Sequence, residues 1–336
     1  MLRFFKRRIL AVFPFLAIIL CLLGMGRVPI NGMISIHGAV KNPSIISLNE
    51  LKKMPSFHMN DVALLKEKKH HDDPEELLCK ASYRGVLLRD ILERAGMEYR
   101  RKWEPGVYVR VRGSENRDAV FSFGEIFYSS IGRSILLAYE KDGKPIPFAE
   151  GCGELIVATD IRDGRRICGI KEIIVERVGV KLEAYKDAKK KTVRPPTSSL
   201  SLVNTRDGKS MELKLEDIKE LPSVYINAAV MVGDCEGFGG MFSFEGAPLN
   251  LLLKKIGIDW WGLAYDQYVV VSSADGFCAT FSLGEIFNSR LGDNIVIAYK
   301  KNGEFLGPHD GFALSVVRED STGGRSVKRI EKIEVF

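Results

Sequence analysis

Two stretches of this chain return later as near copies, and both copies keep one offset. Phe121-Ser-Phe-Gly-Glu-Ile-Phe127 recurs as Phe281-Ser-Leu-Gly-Glu-Ile-Phe287, and Ile135-Leu-Leu-Ala-Tyr-Glu-Lys-Asp-Gly143 recurs as Ile295-Val-Ile-Ala-Tyr-Lys-Lys-Asn-Gly303, each 160 residues on. A period that long exceeds the roughly 20–50 residues of solenoids and propellers, so the duplicated unit is a whole domain. A chain of 336 residues has room for two such domains, each able to bury its own core.

The expected organisation has four parts. Residues 1–33 form a hydrophobic leader, 34–180 repeat one, 181–199 a linker and 200–336 repeat two. The linker carries a Lys-Asp-Ala-Lys-Lys-Lys run and then Pro195-Pro-Thr-Ser-Ser199, charge and proline without apolar periodicity. In the leader, Arg3, Lys6, Arg7 and Arg8 precede an uncharged apolar run from Ile9 to Met25. That pattern reads as an anchor helix or as a signal peptide. Pro14 weakens a straight helix and Gly24-Met-Gly26 offers a small-x-small pair to a peptidase, but no Ala-x-Ala follows; the anchor is the favoured reading. In either case the basic end stays inside and the chain from Arg27 onward is expected on the extracytoplasmic side, anchored in the cytoplasmic membrane or secreted if cleaved.

The net charge of +6 comes partly from the leader and linker clusters, and no basic stripe interleaves with aromatics, so nucleic-acid binding is excluded. Five cysteines lie beyond the leader: Cys79, Cys152, Cys168, Cys235 and Cys278. Their positions are not shared between the repeats, which argues against a duplicated disulfide framework. Cys152 and Cys168 flank one predicted hairpin in a register that does not set them opposite each other.

Each repeat shows the same order of signals. A short strand leads to a helix at Leu48-Asn-Glu-Leu-Lys-Lys-Met-Pro55 or Leu215-Glu-Asp-Ile-Lys-Glu-Leu-Pro222, stopped by proline. A turn-and-helix unit follows at Tyr83–Leu92 or Phe244–Leu253, closed by Gly96 or Gly257 as a C-cap. Alternating strands come next, Val107–Val111 and Tyr268–Ser272, then the Phe-Ser-x-Gly-Glu-Ile-Phe segment. A strand ending in Tyr139 or Tyr299 enters a Lys-Asp-Gly or Lys-Asn-Gly turn, and a final hairpin closes the domain at Val175 or Val335. Strands dominate with short helices among them, so the fold class is α+β.

This order resembles the sulfite-oxidase-type fold of the oxidoreductase molybdopterin-binding family, over both repeats. The resemblance is carried by His37-Gly-Ala-Val40, the Leu-x-x-Leu-x-x-x-Pro helix and the aromatic-x-Gly-x-x-Leu-x-x-x-Leu unit. It continues through Ser273-Ala-Asp-Gly-Phe277, Ala-Tyr-x-x-Asn-Gly, Gly307-Pro-His-Asp-Gly311 and Gly324-Arg-Ser-Val-Lys-x-Ile-x-x-Ile333. It implies a molybdenum–pterin held by a cysteine thiolate, a soft ligand suited to the metal. On that reading Cys235, in Cys235-Glu-Gly-Phe-Gly-Gly240, is the metal ligand, and Arg325 and Lys328 meet the anionic pterin phosphate. On the same reading His309 orients cofactor or substrate; the other readings are a plain loop residue after Gly-Pro for His309 and solvated hairpin cations for Arg325 and Lys328. Asp275 and Gly276 complete the cofactor-binding set, although a tight turn explains them better. The other reading of Cys235 is a free buried thiol in a Gly-rich loop.

The repeats part at these positions. Repeat one has Glu115-Asn116 at the place of Asp275-Gly276, Ala149 at the place of His309 and Cys168 at the place of Lys328; its nearest cysteine to the ligand position, Cys79, is six residues before Gly85. Repeat one therefore reads as a structural or docking copy and repeat two as the candidate site. No pterin-gripping segment precedes the first repeat between Arg27 and Ile34. The charged run Lys66–Glu76, with His70 and His71, reads as a solvated loop, and Trp260-Trp261 as core packing or an exposed contact patch. The expected function is a ligand- or partner-binding, non-catalytic member of the family, its partner a small molecule or a redox protein at the membrane. The alternative is oxygen-atom transfer by a molybdenum–pterin in repeat two, of sulfite-oxidase or sulfoxide-reductase type.

Overall fold

The computed structural model describes residues 32–68, 70–97, 106–114, 117–147, 152–178, 198–233, 237–273 and 276–336. The expected leader helix and linker lie outside these, except that Met33 already belongs to the first strand and Ser199 opens the first strand of repeat two. No helix among the described residues is long and apolar enough to cross a membrane.

Repeat one opens with β1 (Met33–Gly38) and β2 (Ser44–Ser47), followed by helix α1 (Leu48–Leu51), β3 (Phe57–Leu65), β4 (Leu77–Leu87) and helix α2 (Leu88–Arg94). After β5 (Val107–Arg112) and β6 (Asp118–Ser122), helix α3 (Phe123–Phe127) leads to β7 (Ile135–Lys141), β8 (Lys144–Pro145), β9 (Cys152–Val157), β10 (Ile167–Ile170) and β11 (Glu172–Arg177). One sheet runs β2-β1-β11-β5-β6, with β1 and β11 parallel; the other runs β10-β9-β7-β4-β3, with β8 against β7. The helix expected at Leu48–Pro55 is a single turn. Ser47 caps it by accepting from the Glu50 backbone N–H; Leu51 is buried in the core, with Leu48 and Met54 partly buried against it.

Repeat two follows the same plan. Its elements are β12 (Ser199–Asn204), β13 (Ser210–Lys214), α4 (Leu215–Lys219), β14 (Val224–Gly233), β15 (Gly237–Pro248), α5 (Leu249–Lys254), β16 (Tyr268–Ser273) and β17 (Cys278–Ser282). Then come α6 (Leu283–Phe287), β18 (Ile295–Lys301), β19 (Glu304–Phe305), β20 (Leu314–Val317) and β21 (Ile330–Val335). The sheet β13-β12-β21-β16-β17 repeats the strand order of its counterpart, with β12 parallel to β21. The second sheet runs β14-β15-β18-β19, with β20 on β18. The counterpart of β10 is reduced to one bridge between Leu314 and Lys328, which matches the Cys168–Glu154 pair of repeat one and sets Cys168 and Lys328 at equivalent places. In the β9–β10 register Cys152 faces Ile170 and Cys168 faces Glu154, so these two cysteines are not opposed.

Alternation along the strands decides what packs where. Val109, Val111, Ala119 and Phe121 point into the core of repeat one, and Val269, Val271, Ala279 and Phe281 into that of repeat two. The residues between them face outward, yet Tyr108, Val120, Val270 and Cys278 are buried as well. They are buried against each other: the β5–β6 end of one sheet packs on the β16–β17 end of the other. Tyr108 stacks on Tyr268 with ring centroids 4.2 Å apart, and Thr280 Oγ1 donates to the Val107 carbonyl at 2.8 Å.

Candidate functional site

His309 and Lys328, two of the repeat-two residues that repeat one lacks, are brought together. The Gly307–Gly311 turn links β19 to β20, closed by Asp310 and Gly311 backbone N–H groups that both donate to the Gly307 carbonyl at 3.0 Å. Gly311 has φ +80, and a β-carbon there would press on the Arg329 backbone. The turn carries His309 on the surface with Asp310 buried beneath it. Lys328 Nζ lies 3.0 Å from His309 Nε2 and 2.9 Å from Asp310 Oδ1, while Lys301 Nζ is 3.7 Å from Asp310 Oδ2. Partial burial works to raise the Asp310 pKa, but the Lys328 ammonium and its neighbours outweigh it and hold the carboxyl below its ordinary value. The ammonium donates, so in this contact Nε2 is the accepting nitrogen of the ring.

Arg325 goes elsewhere. It is the last residue of the short 3-10 turn Gly323–Arg325 and is buried, with its guanidinium fully engaged. Nε and Nη2 grip Asp320 at 2.8 and 2.7 Å; Nη1 donates to Glu285 Oε2 at 2.7 Å and, across the junction, to Ser122 Oγ of repeat one at 3.3 Å. Arg165 makes the same set: both arms on Asp160, then Glu125 of its own repeat and Ser282 of the other, the last at 3.3 Å. Burial disfavours both guanidinium charges, yet the flanking carboxylates outweigh it and keep both arginines protonated. The phosphate-binding role that the resemblance implies for Arg325 would require dismantling this network.

The two Phe-Ser-x-Gly-Glu segments supply the network's other half. Each serine caps its helix by accepting from the backbone N–H of the glutamate three residues on, at 3.0 Å. Each hydroxyl then donates across the junction: Ser122 Oγ to Glu285 Oε1 at 2.6 Å, Ser282 Oγ to Glu125 Oε2 at 2.8 Å. Burial pushes the Glu125 carboxyl up to about 7 against the pull of Arg165, and raises Asp160 and Asp320 as well. The charge balance gives the same answer: four buried carboxylates surround two guanidiniums, and unmatched charge in a low dielectric favours holding a proton. Reading the sequence for chemistry missed this cluster. Its signal was the duplication itself, since Asp160-x-x-x-x-Arg165 returns as Asp320-x-x-x-x-Arg325 at the offset of the Ser-x-x-Glu pairs.

The charged run Lys66–Glu76 also departs from expectation. It is not simply solvated: its first half reaches over the loop of repeat two that holds Trp260. The Trp260 ring is covered by Arg162 at 4.4 Å and Lys68 at 5.4 Å, and Glu75 joins those two cations at 2.6 and 3.1 Å. Tyr265 Oη donates to Glu67 Oε2 at 2.8 Å, and burial raises the Glu67 carboxyl. His71 stays mostly exposed beside Trp260, and Trp261 faces solvent. Consecutive side chains diverge, so one tryptophan packs and the other does not.

Of the remaining predicted residues, Gly276 sits in a tight turn, with φ +83 and its N–H donating to the Ser273 carbonyl at 2.9 Å. Cys235 and Asp275 lie outside the described residues, as do Glu115, Asn116 and Ala149. A molybdenum–pterin asks for a thiolate at the metal and for free cations at its phosphate. Among the described residues, Arg325 is committed to acids, and Lys328 pairs with Asp310 but stays two-fifths exposed; the thiolate position, Cys235, lies outside them. The described residues do not by themselves fit that group.

Comparison with known proteins adds the following. The model of the oxidoreductase molybdopterin binding domain matches residues 27–153 and again 193–336. The NADH nitrate reductase of Ulva prolifera is 28% identical over 150 residues, 37% of this chain and 17% of that protein. The NADPH nitrate reductase of Phytophthora infestans is 31% identical over 119 residues, 31% of this chain and 12% of that protein. The match thus spans less than a fifth of these relatives' length. Among solved structures, the sulfane dehydrogenase SoxCD of Paracoccus pantotrophus aligns over 88% of this chain and 77% of its own, at 10% identity and a TM-score of 0.35.

Proposed function

Because this chain belongs to the oxidoreductase molybdopterin binding domain family, we propose that it is a tandem of two such domains that binds a ligand or partner protein and does not turn over a molybdenum–pterin substrate. The observation that carries this reading is Arg325. The position that the resemblance assigns to cofactor phosphate is built into the contact between the repeats, as is its equivalent Arg165. With that cation withdrawn, the exposed corner of His309, Lys328 and Lys301 around Asp310 is the surface of repeat two offered to a small anionic ligand or an acidic partner. The leader would hold the tandem at the outer face of the cytoplasmic membrane, where a redox protein or a small molecule could reach it.

The alternative, oxygen-atom transfer through a molybdenum–pterin on Cys235, is favoured by the 3.0 Å contact between His309 and Lys328, because two residues present in repeat two alone converge. The kinship with nitrate reductases points the same way. Metal analysis of the full-length protein from its own host separates the readings. A metal-free protein with undiminished cellular function supports a binding role. Stoichiometric molybdenum, lost in Cys235→Ser, establishes the enzyme.

A further inference from the structure

Along the β5–β6/β16–β17 seam, the contacts of the Ser-x-x-Glu and Asp-x-x-x-x-Arg turns come in pairs related by exchange of the repeats. Ser122 donates to Glu285, and Ser282 to Glu125; Arg325 reaches Ser122 and Arg165 reaches Ser282, both at 3.3 Å. The backbone repeats the pattern. Ser321 N–H donates to the Tyr128 carbonyl at 2.9 Å and Ile161 N–H to the Asn288 carbonyl at 2.7 Å, while Ser129 bridges Asp320 and Ser289 bridges Asp160. Tyr108 and Tyr268, equivalent residues, stack on each other. Gly124 and Gly284 leave room for the opposite repeat's arginine: a β-carbon at either would collide with Cδ of Arg325 or Arg165. This reciprocity, in which residue i touches j and j's equivalent touches i's, defines an isologous, two-fold contact.

From this we infer that each repeat carries a self-complementary pairing surface, made by the outer face of its β5–β6 or β16–β17 hairpin, its Ser-x-x-Glu helix turn and its Asp-x-x-x-x-Arg turn. The partner this surface fits is another copy of the same fold with the same three features, and in this chain its occupant is the other repeat of the same molecule. The linker is then not what holds the halves together. The seam closes on itself, so it is not free for a second chain.

The test uses the full-length protein with a protease recognition sequence placed within 181–197. After cleavage the two halves are expected to run as one 1:1 complex at the mass of the uncut chain, at micromolar concentration. Differently tagged full-length chains, co-expressed, are expected not to co-purify. The cut Ser122→Ala/Ser282→Ala variant, lacking both crossed hydroxyl donors, should separate at concentrations at least about tenfold higher than the cut wild type. Gly284→Ala, which leaves every charge in place, should weaken the cut complex in the same direction. Halves that part on cleavage of the wild type would overturn the inference whatever the variants do. Co-purification of the two tags would overturn it too, by showing that the surface pairs between chains. Neither readout depends on molybdenum, so the inference and the binding-module reading fail separately.

Discussion

The seam between the repeats and the His309–Lys328 corner of repeat two are opposites in almost every respect. The seam is built from residues present in both copies, is buried and has each charge gripped by partners. The corner centres on His309 and Lys328, which only repeat two has, lies on the surface, and its His309 ring is open to solvent. Divergence between copies, read alone, points to the corner as the place where function could differ. Agreement between copies points to the seam, and Arg325, taken for a member of the first set, belongs to the second because Arg165 mirrors it.

The largest expected effect tests the seam. Arg165→Met leaves buried Asp160 and Glu125 without their counter-charge, and loss of one partner of a buried pair costs about 3–5 kcal/mol; urea unfolding should show the unfolding free energy falling by that amount. Arg325→Met should do the same to Asp320 and Glu285. Equal losses would sharpen the two-fold equivalence; a loss confined to Arg165 would break it and return Arg325 to the candidate site.

A smaller effect is expected from Gly124→Ala or Gly284→Ala. Each new methyl meets the opposite arginine, and overpacking a fixed contact costs about 1–3 kcal/mol. Thermal unfolding followed by circular dichroism would register it; an unchanged midpoint would mean that the two repeats do not press together there.

pH should act on the seam through Glu125. A carboxyl raised to about 7 in the folded protein favours folding in its protonated form. The stability that Glu125 contributes is full below its ordinary value of 4.5 and is lost as the pH rises through about 7. Unfolding free energy measured from pH 5 to 8.5 should therefore decline, and Glu125→Gln, permanently neutral, should flatten the decline. A slope unchanged by that substitution would refute a proton held in the seam.

The smallest effect belongs to the corner. Lys328 is two-fifths exposed, and Lys328→Ala should change stability by no more than about 0.5 kcal/mol, since exposed ion pairs contribute little. If that variant nonetheless abolishes binding of an anionic ligand, measured by calorimetry on the full-length protein, the corner is a functional surface and the contrast with the seam is complete.

Much of the fold was legible because its signals are local. The Asp142-Gly143 and Asn302-Gly303 turns take positive φ as their residue types favour, Gly96 and Gly257 end their helices at φ +87 and +82, and Ser122-x-x-Glu125 caps as its spacing requires. The corner was legible in part, through the motif around His309 and the position of Lys328. Trp260 under Arg162 and Lys68 was not, because a charged run has the same composition whether it is solvated or laid over a ring from another domain.

By itself, then, the sequence determined the duplicated plan: the order of elements along the chain, the turns, the caps and the alternation of the strands. These follow from periodicity and from residues a few positions apart. Only the tertiary structure decided what the outward faces do. Tyr108 meets Tyr268 and Ser122 meets Glu285 across about 160 residues of chain, and such partners are chosen by which surfaces bury together. The same packing took Arg325 from the set of cofactor candidates and made it half of a symmetric lock, since a buried guanidinium is held by the acids that surround it.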